Sequence, residues 1–174
     1  MPWAVLLGLV ILAGCGKSDS PPAPTPSAAA QSSESSPAPA LEAALAGWRA
    51  GDKSTAVSRF LQIDWSARPL FAPDSPLALS EEQFKQLPAG ELQAKSVEIM
   101  SRNGELKQLA SAVAERGREA AAKKDVAQAR KLFSSVKQCG EALDSPQSLA
   151  IVRLVAQALK KMADTELSRL PQSQ

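Results

Sequence analysis

Four carboxylates, Asp64, Asp74, Glu81 and Glu82, lie in and beside a proline-interrupted stretch, residues 64–80 (DWSARPLFAPDSPLALS). Two suitably placed carboxylates suffice for glycosidase-type acid–base chemistry. Helix capping and solvent exposure also account for acidic residues in such a stretch. The chain contains no His, which removes Ser-His and Cys-His nucleophile pairs, imidazole general bases and most transition-metal sites. Its two cysteines are Cys15 and Cys139. Three aromatic side chains, Trp48, Trp65 and Phe71, surround the same stretch with Arg68 among them, in a chain with only 4% aromatic residues. Such a group serves either as the plug of a small core or as an interaction surface, because aromatic and Arg side chains are enriched in binding sites. The chemistry expected from this inventory is recognition, with no cofactor, no metal and no enzymatic activity.

These side chains need elements to hold them, and composition favours helices. Of 174 residues, 31 are Ala and 21 are Leu, and there is no Tyr. Ala and Leu are strong helix formers, whereas strands rely on β-branched and aromatic side chains. An all-α body follows, built as antiparallel helical hairpins or a small helical bundle.

The N-terminal residues carry an address. Residues 3–13 (WAVLLGLVILA) form an uncharged apolar run, too short to span a bilayer core of about 30 Å and of signal-peptide length. It ends in Leu12, Ala13, Gly14 and Cys15, and a polar stretch follows at once. This sequence resembles the lipobox of bacterial lipoproteins, although the residues before the apolar run include no Lys or Arg. The resemblance implies removal of residues 1–14 and lipidation of Cys15, which then becomes the mature N-terminus and the membrane anchor. Two or three acyl chains hold firmly where one binds reversibly. Gly16, where an Asp would favour inner-membrane retention in enterobacterial-type lipoproteins, implies the outer membrane.

Residues 16–40 are mostly Pro, Ala and Ser, with three charged residues and no large apolar side chain. Such a segment cannot bury enough surface to offset chain entropy, so 15–40 reads as a disordered tether. Its 25 residues from Gly16 reach on the order of 27 Å as a flexible chain, and six prolines lengthen that. Residues 41–174 remain as the folded body, divisible at Pro88 into 41–87 and 88–170.

The body contains an internal echo. Residues 49–60 (RAGDKSTAVSRF) align without gaps to 122–133 (AKKDVAQARKLF), with Asp52, Ala56 and Phe60 matching Asp125, Ala129 and Phe133. The pattern predicts two helical hairpins. In each, Asp caps the second helix, Ala permits close approach and Phe fills the gap between helices. It resembles a degenerate tetratricopeptide repeat, although the copies lie 73 residues apart rather than in tandem.

The remaining signals place the other helices. The run Ser80-Glu81-Glu82-Gln83 is a capping-box signature for a short helix to Leu87. Pro88 suits the start of the next, running to about Ser101 or onward past Asn103-Gly104. Leu106, Leu109, Ala110, Val113 and Ala114 form a stripe that Gly117, Ala120 and Ala121 extend with small residues. The following helix carries Val126, Ala129, Leu132, Phe133, Val136 and Cys139, which places Cys139 on an apolar face as a buried thiol. Asp144-Ser145-Pro146 then reads as the start of a last helix over about 146–170. That helix is apolar round most of its circumference, the pattern of a central helix packed on two sides or of a partner surface.

Charge is uneven. Residues 102–137 hold nine Lys or Arg against four Asp or Glu, while 41–101 hold six against eight. A solvated helix face with pairs such as Glu119–Lys123 accounts for the excess. In an exported chain its alternative partners are anionic lipids or envelope polymers, not nucleic acid. The sequence thus points to a lipid-anchored, envelope-facing interaction module whose partners are a membrane and another envelope protein. A glycan- or small-ligand-binding lipoprotein is the alternative, and a carboxylate hydrolase the third.

Overall fold

A computed structural model describes residues 36–171. The lipobox residues Leu12, Ala13 and Gly14, the anchor Cys15 and the tether as far as residue 35 lie outside the described residues. Six α-helices follow in order: α1 (Pro37–Arg49), α2 (Lys53–Phe60), α3 (Glu81–Lys85), α4 (Ala89–Ala122), α5 (Val126–Leu143) and α6 (Ala150–Arg169). One 3-10 turn, Pro76–Ala78, precedes α3. The described residues are all-α, and their one β-type pairing is an isolated antiparallel bridge between Ser80 and Ser148. No helix among them is long and apolar enough to cross a membrane.

α1 begins at Pro37, four residues before the boundary at Leu41 expected from composition. Pro at the first helical position is already set for helical φ, and Pro37 and Ala38 are buried with Leu41, Ala44 and Leu45. The last Pro-Ala residues assigned to the tether therefore belong to the body.

The two predicted hairpins form with the same turn. In the first, the Asp52 N–H donates to the Gly47 carbonyl and the Gly51 N–H to Trp48. In the second, the Asp125 N–H donates to Ala120 and the Lys124 N–H to Ala121, a shift of 73 residues at every atom. Both are Schellman closures, in which a left-handed residue lets the chain satisfy the last helical carbonyls. Each Asp then caps the next helix, Asp52 accepting from the Thr55 N–H at 3.1 Å and Asp125 from the Gln128 N–H at 3.0 Å. The cap holds the Asp52 carboxyl below its ordinary range, through its bonds with Thr55. Its contribution is present above the unfolded carboxylate pKa and is lost as pH falls through the lower folded value.

The left-handed position is Gly51 at φ 84° in one turn and Lys124 at φ 65° in the other. A side chain there is strained by contact with its own carbonyl. Lys124→Gly is expected to raise stability by about 0.5–1 kcal/mol, and Gly51→Ala to lower it by about 1 kcal/mol. Urea unfolding of the two variants checks both signs.

α4, with 34 residues, is about 51 Å long and is the element on which the others assemble. It runs unbroken through Asn103-Gly104. A Cβ at Gly104 would meet nothing within 4 Å, so that glycine weakens the helix without serving a close contact. Gly117 is different. A Cβ there would lie 2.5 Å from the Phe133 ring, so the glycine is the socket into which α5 inserts its aromatic. A similar close approach joins α5 to α6, where a Cβ at Gly140 would lie 2.8 Å from the Ala156 carbonyl oxygen.

α6 departs from expectation at its start and in its surroundings. It starts at Ala150, not near 146. Asp144 ends α5, and its carboxylate pairs with Lys160 instead of capping α6. The Ala150 N–H is taken by the Glu81 carboxylate at 3.0 Å, a cap supplied from α3. Nor is α6 central. Val152, Ala156, Leu159 and Ala163 pack inward, while Ile151 and Leu154 face solvent.

One continuous cluster of buried side chains runs from Leu41 to Leu170, so 41–87 and 88–170 share a core. Ion pairs dress its surface: Arg118 with Glu115 and Glu166, Lys137 with Asp164, and Arg102 with Glu42. The partners of Arg118 and Lys137 raise the pKa of each cation, chiefly through the hydrogen bonds that the two cations donate to Glu166 and Asp164. The predicted Glu119–Lys123 pair does not form. Both side chains instead border a shallow depression with Arg116 and Asp125.

Candidate functional site

Residues 64–80 are folded down rather than held out. Trp65, Leu70, Phe71 and Leu77 are buried in the main core, and Trp65 packs on Phe60 with ring centroids 4.9 Å apart. Burying these four apolar side chains offsets the entropy of ordering a stretch that its prolines keep from becoming a helix. The indole N–H of Trp65 is buried and finds no partner among the described residues.

Arg68 fastens this segment to α5. Its guanidinium donates to the carbonyls of Trp65 and Ala67 at 3.0 and 2.9 Å, and to that of Ala142 at 3.4 Å. Three carbonyls therefore occupy the side chain that sequence marked as a binding residue. Asp64 serves a similar local purpose, accepting from the Ser66 hydroxyl at 2.6 Å and the Ser66 N–H at 3.0 Å. These bonds lower its pKa, which makes it a weak general base at neutral pH.

Between this segment and the C-terminal turns of α5 lies an open cleft of about 400 Å³. Asp64, Trp65, Ser66 and Arg68 form one wall, and Gln138, Glu141 and Ala142 the other. A second groove of about 570 Å³ continues past Arg68 and Ala142, along Phe71, Leu77 and Ser148. Trp65, Arg68 and Phe71 thus border adjoining grooves, as their sequence proximity suggested.

Trp48 does not join them. Its indole N–H donates to Gln108 on α4 at 3.3 Å, and the Lys53 ammonium sits 3.5 Å above its ring. The first hairpin carries Trp48 at its own closing turn, away from the loop cleft. It packs against the same core as Trp65 and Phe71 but does not line their grooves.

The remaining acidic candidates also separate. Glu81 lines a different, apolar groove beside α6 and holds the Ala150 N–H. Glu82 is exposed on α3, and Asp74 is exposed in the preceding segment. Among the described residues, no three Asp, Glu or Cys side chains converge to hold a metal ion. Cys139 is fully buried, and desolvation pushes its thiol pKa up, so the reactive thiolate is suppressed.

No known protein family, curated protein or solved structure matches the chain. The cleft must be read from its own residues.

Gln138 and Glu141 were not legible as site residues. They stand three apart on α5, a spacing that any helix surface shares. Their relevance depends on the long-range fastening of Arg68 to Ala142, 74 residues away. The one available signal was negative: both are polar positions flanking the buried Cys139-Gly140 contact.

Proposed function

We propose that this chain is a lipid-anchored cell-envelope protein that binds another protein and performs no chemistry of its own. The Leu12-Ala13-Gly14-Cys15 run at the end of an apolar leader carries the reading, since it supplies both export and attachment. The arrangement of the cleft supports the non-catalytic part. Two of its three charged wall residues are committed to holding the fold: Arg68 to three carbonyls and Asp64 to Ser66. Asp64 and Glu81 border separate cavities and are not paired across one site. The two equivalent hairpins support kinship with helical-repeat interaction modules.

A second reading rests on the cleft alone. Ser66, Gln138 and Glu141 form a polar rim beside the Trp65 indole, a pairing of polar and apolar surface that suits a glycan or a small polar ligand.

The test begins with metabolic labelling by radioactive fatty acid in a bacterial host. The wild-type chain is expected to take up label and to sediment with membranes, and Cys15→Ser to do neither. A photo-crosslinking residue at Gln138 then distinguishes the two readings. A protein adduct from the envelope supports the first. Protection of Gln138 by glycan fragments, with no protein adduct, supports the second.

A further inference from the structure

We propose that the solvent face shared by α4 and α6 rests on an anionic lipid surface and sets the orientation of the anchored body. The four exposed large hydrophobic side chains of the described residues are Val97 (59% exposed), Met100 (57%), Ile151 (41%) and Leu154 (61%). They occur in two pairs spaced i, i+3, one on each helix. The pairs meet at an apolar groove of about 330 Å³, to which Met100 and Ile151 contribute opposite sides with Phe84 and Leu149 behind them. α4 and α6 run in the same direction, since the residues at this groove and the Arg118–Glu166 ion pair join them in the same order along both helices.

Two observations select a lipid surface as the occupant. The first is charge. Following the exposed ridge of α4 from Val97 and Met100 through Gly104 leads to Lys107, and that of α6 from Ile151 and Leu154 through Ala158 leads to Lys161. Both helices therefore present two apolar side chains and then an exposed lysine. Along these ridges, positions 93 to 111 of α4 and 151 to 165 of α6 on the same face, no Asp or Glu occurs. Of the neighbouring acids, Glu81 holds the Ala150 N–H and Glu98 pairs with Lys95. Apolar side chains that enter the headgroup region, with lysines against anionic lipid, form the pattern of an interfacial surface.

The second observation is where the chain leaves the body. α1 lies alongside α4 in the same direction, with Glu42 paired to Arg102 and Arg49 to Glu105. Pro37 precedes Glu42 by five residues, or about 7 Å of helix, which places it level with residues 97–99. The chain thus departs towards Cys15 from the same end that carries the apolar patch. Twenty residues lie between Cys15 and Ser36, and a linker of that length reaches about 25 Å. That is half the length of α4, so the anchored chain keeps this end nearest the lipid. The identification of the bilayer rests on the lipid-anchored reading above.

The test uses the full chain with Cys15→Ser, so that no lipid is attached, and measures co-sedimentation with phosphatidylcholine vesicles with or without phosphatidylglycerol. Binding to the anionic vesicles is expected to weaken about tenfold or more on adding Met100→Ser and Leu154→Ser. Adding Lys107→Gln and Lys161→Gln instead is expected to remove most of the preference for anionic lipid. All four positions are exposed, and circular dichroism checks that helicity is retained. Equal binding by the serine variant overturns the proposal, and this includes binding driven by the apolar leader, which every variant shares. Self-association abolished by the serine changes, without vesicle binding, also overturns it in favour of a second copy. Fatty-acid labelling of Cys15 is scored separately. Labelling without face-dependent vesicle binding sinks this inference alone, and face-dependent binding without labelling sinks the anchored reading alone.

Discussion

Phe133→Ala is expected to lower the unfolding free energy by about 3–5 kcal/mol, the range for removing a buried aromatic from a packed core. Phe133 is 1% exposed and sits between α4 and α5. Its ring occupies the space left by the absent side chain of Gly117. That geometry predicts a change of sign as well as a magnitude. Gly117→Ala alone drives a Cβ into the ring and is expected to cost about 1–3 kcal/mol, the usual range for overpacking. In the Phe133→Ala background the obstruction is gone, and the same substitution gains helix propensity, about 0.5–1 kcal/mol in favour of folding. A double-mutant cycle from denaturant unfolding measures this directly. If Gly117→Ala has the same effect in both backgrounds, the ring does not occupy the glycine's space.

The second large effect is at the cleft. Trp65→Ala is expected to cost about 3–5 kcal/mol, because the indole is 4% exposed and packs at a tilt against Phe60. No hydrogen bond is lost with it, since its N–H has no partner among the described residues, so the cost is one of packing. Trp65→Phe keeps a ring against Phe60 and is expected to cost about half as much or less. The pair separates a core role from a recognition role. A cleft ligand that needs the indole loses affinity in Trp65→Phe while the fold persists. A ligand that needs only the shape of the wall is lost in Trp65→Ala alone. Unfolding curves and crosslinking at Gln138 on the same variants give both readouts.

Much of the helical architecture was legible because its determinants are local. Asp52 and Asp125 cap the helices they precede, and Ser80 with Gln83 closes the expected capping box. Ala56, Phe60, Ala129 and Phe133 are all buried, as their spacing required. Capping and amphipathic periodicity act within one or two turns, and a contiguous string records them fully. Pro37 was misassigned to the tether because Pro-Ala composition is shared by disordered linkers and helix starts.

The candidate site was legible only in part. Trp65, Arg68 and Phe71 were found through scarcity and proximity, and the fold does place them along adjoining grooves. Trp48 was grouped with them on the same grounds, yet its partners are Gln108 and Lys53. Closeness in sequence cannot show that a helical turn aims one aromatic at a different neighbour. The opposite wall, Gln138 and Glu141, became visible only when the segment folded against α5.

The carboxylates show where sequence stops and tertiary structure begins. By itself the sequence determined that the body is helical, where three of its six helices are capped by a side chain, and that no His is available for catalysis. The start of α6 was decided elsewhere. Asp144-Ser145-Pro146 is a sound local cap signal, yet Asp144 pairs with Lys160 and the free N–H of Ala150 is met by Glu81. Glu81 lies 69 residues from Ala150, brought there by the packing of α3 beside α6. Local signals compete on nearly equal energies of about 1 kcal/mol each, so a partner delivered through space settles the outcome. The same holds for the apolar surface of α6: its composition was plain, but only the packed structure separated the side that meets the core from the side left bare.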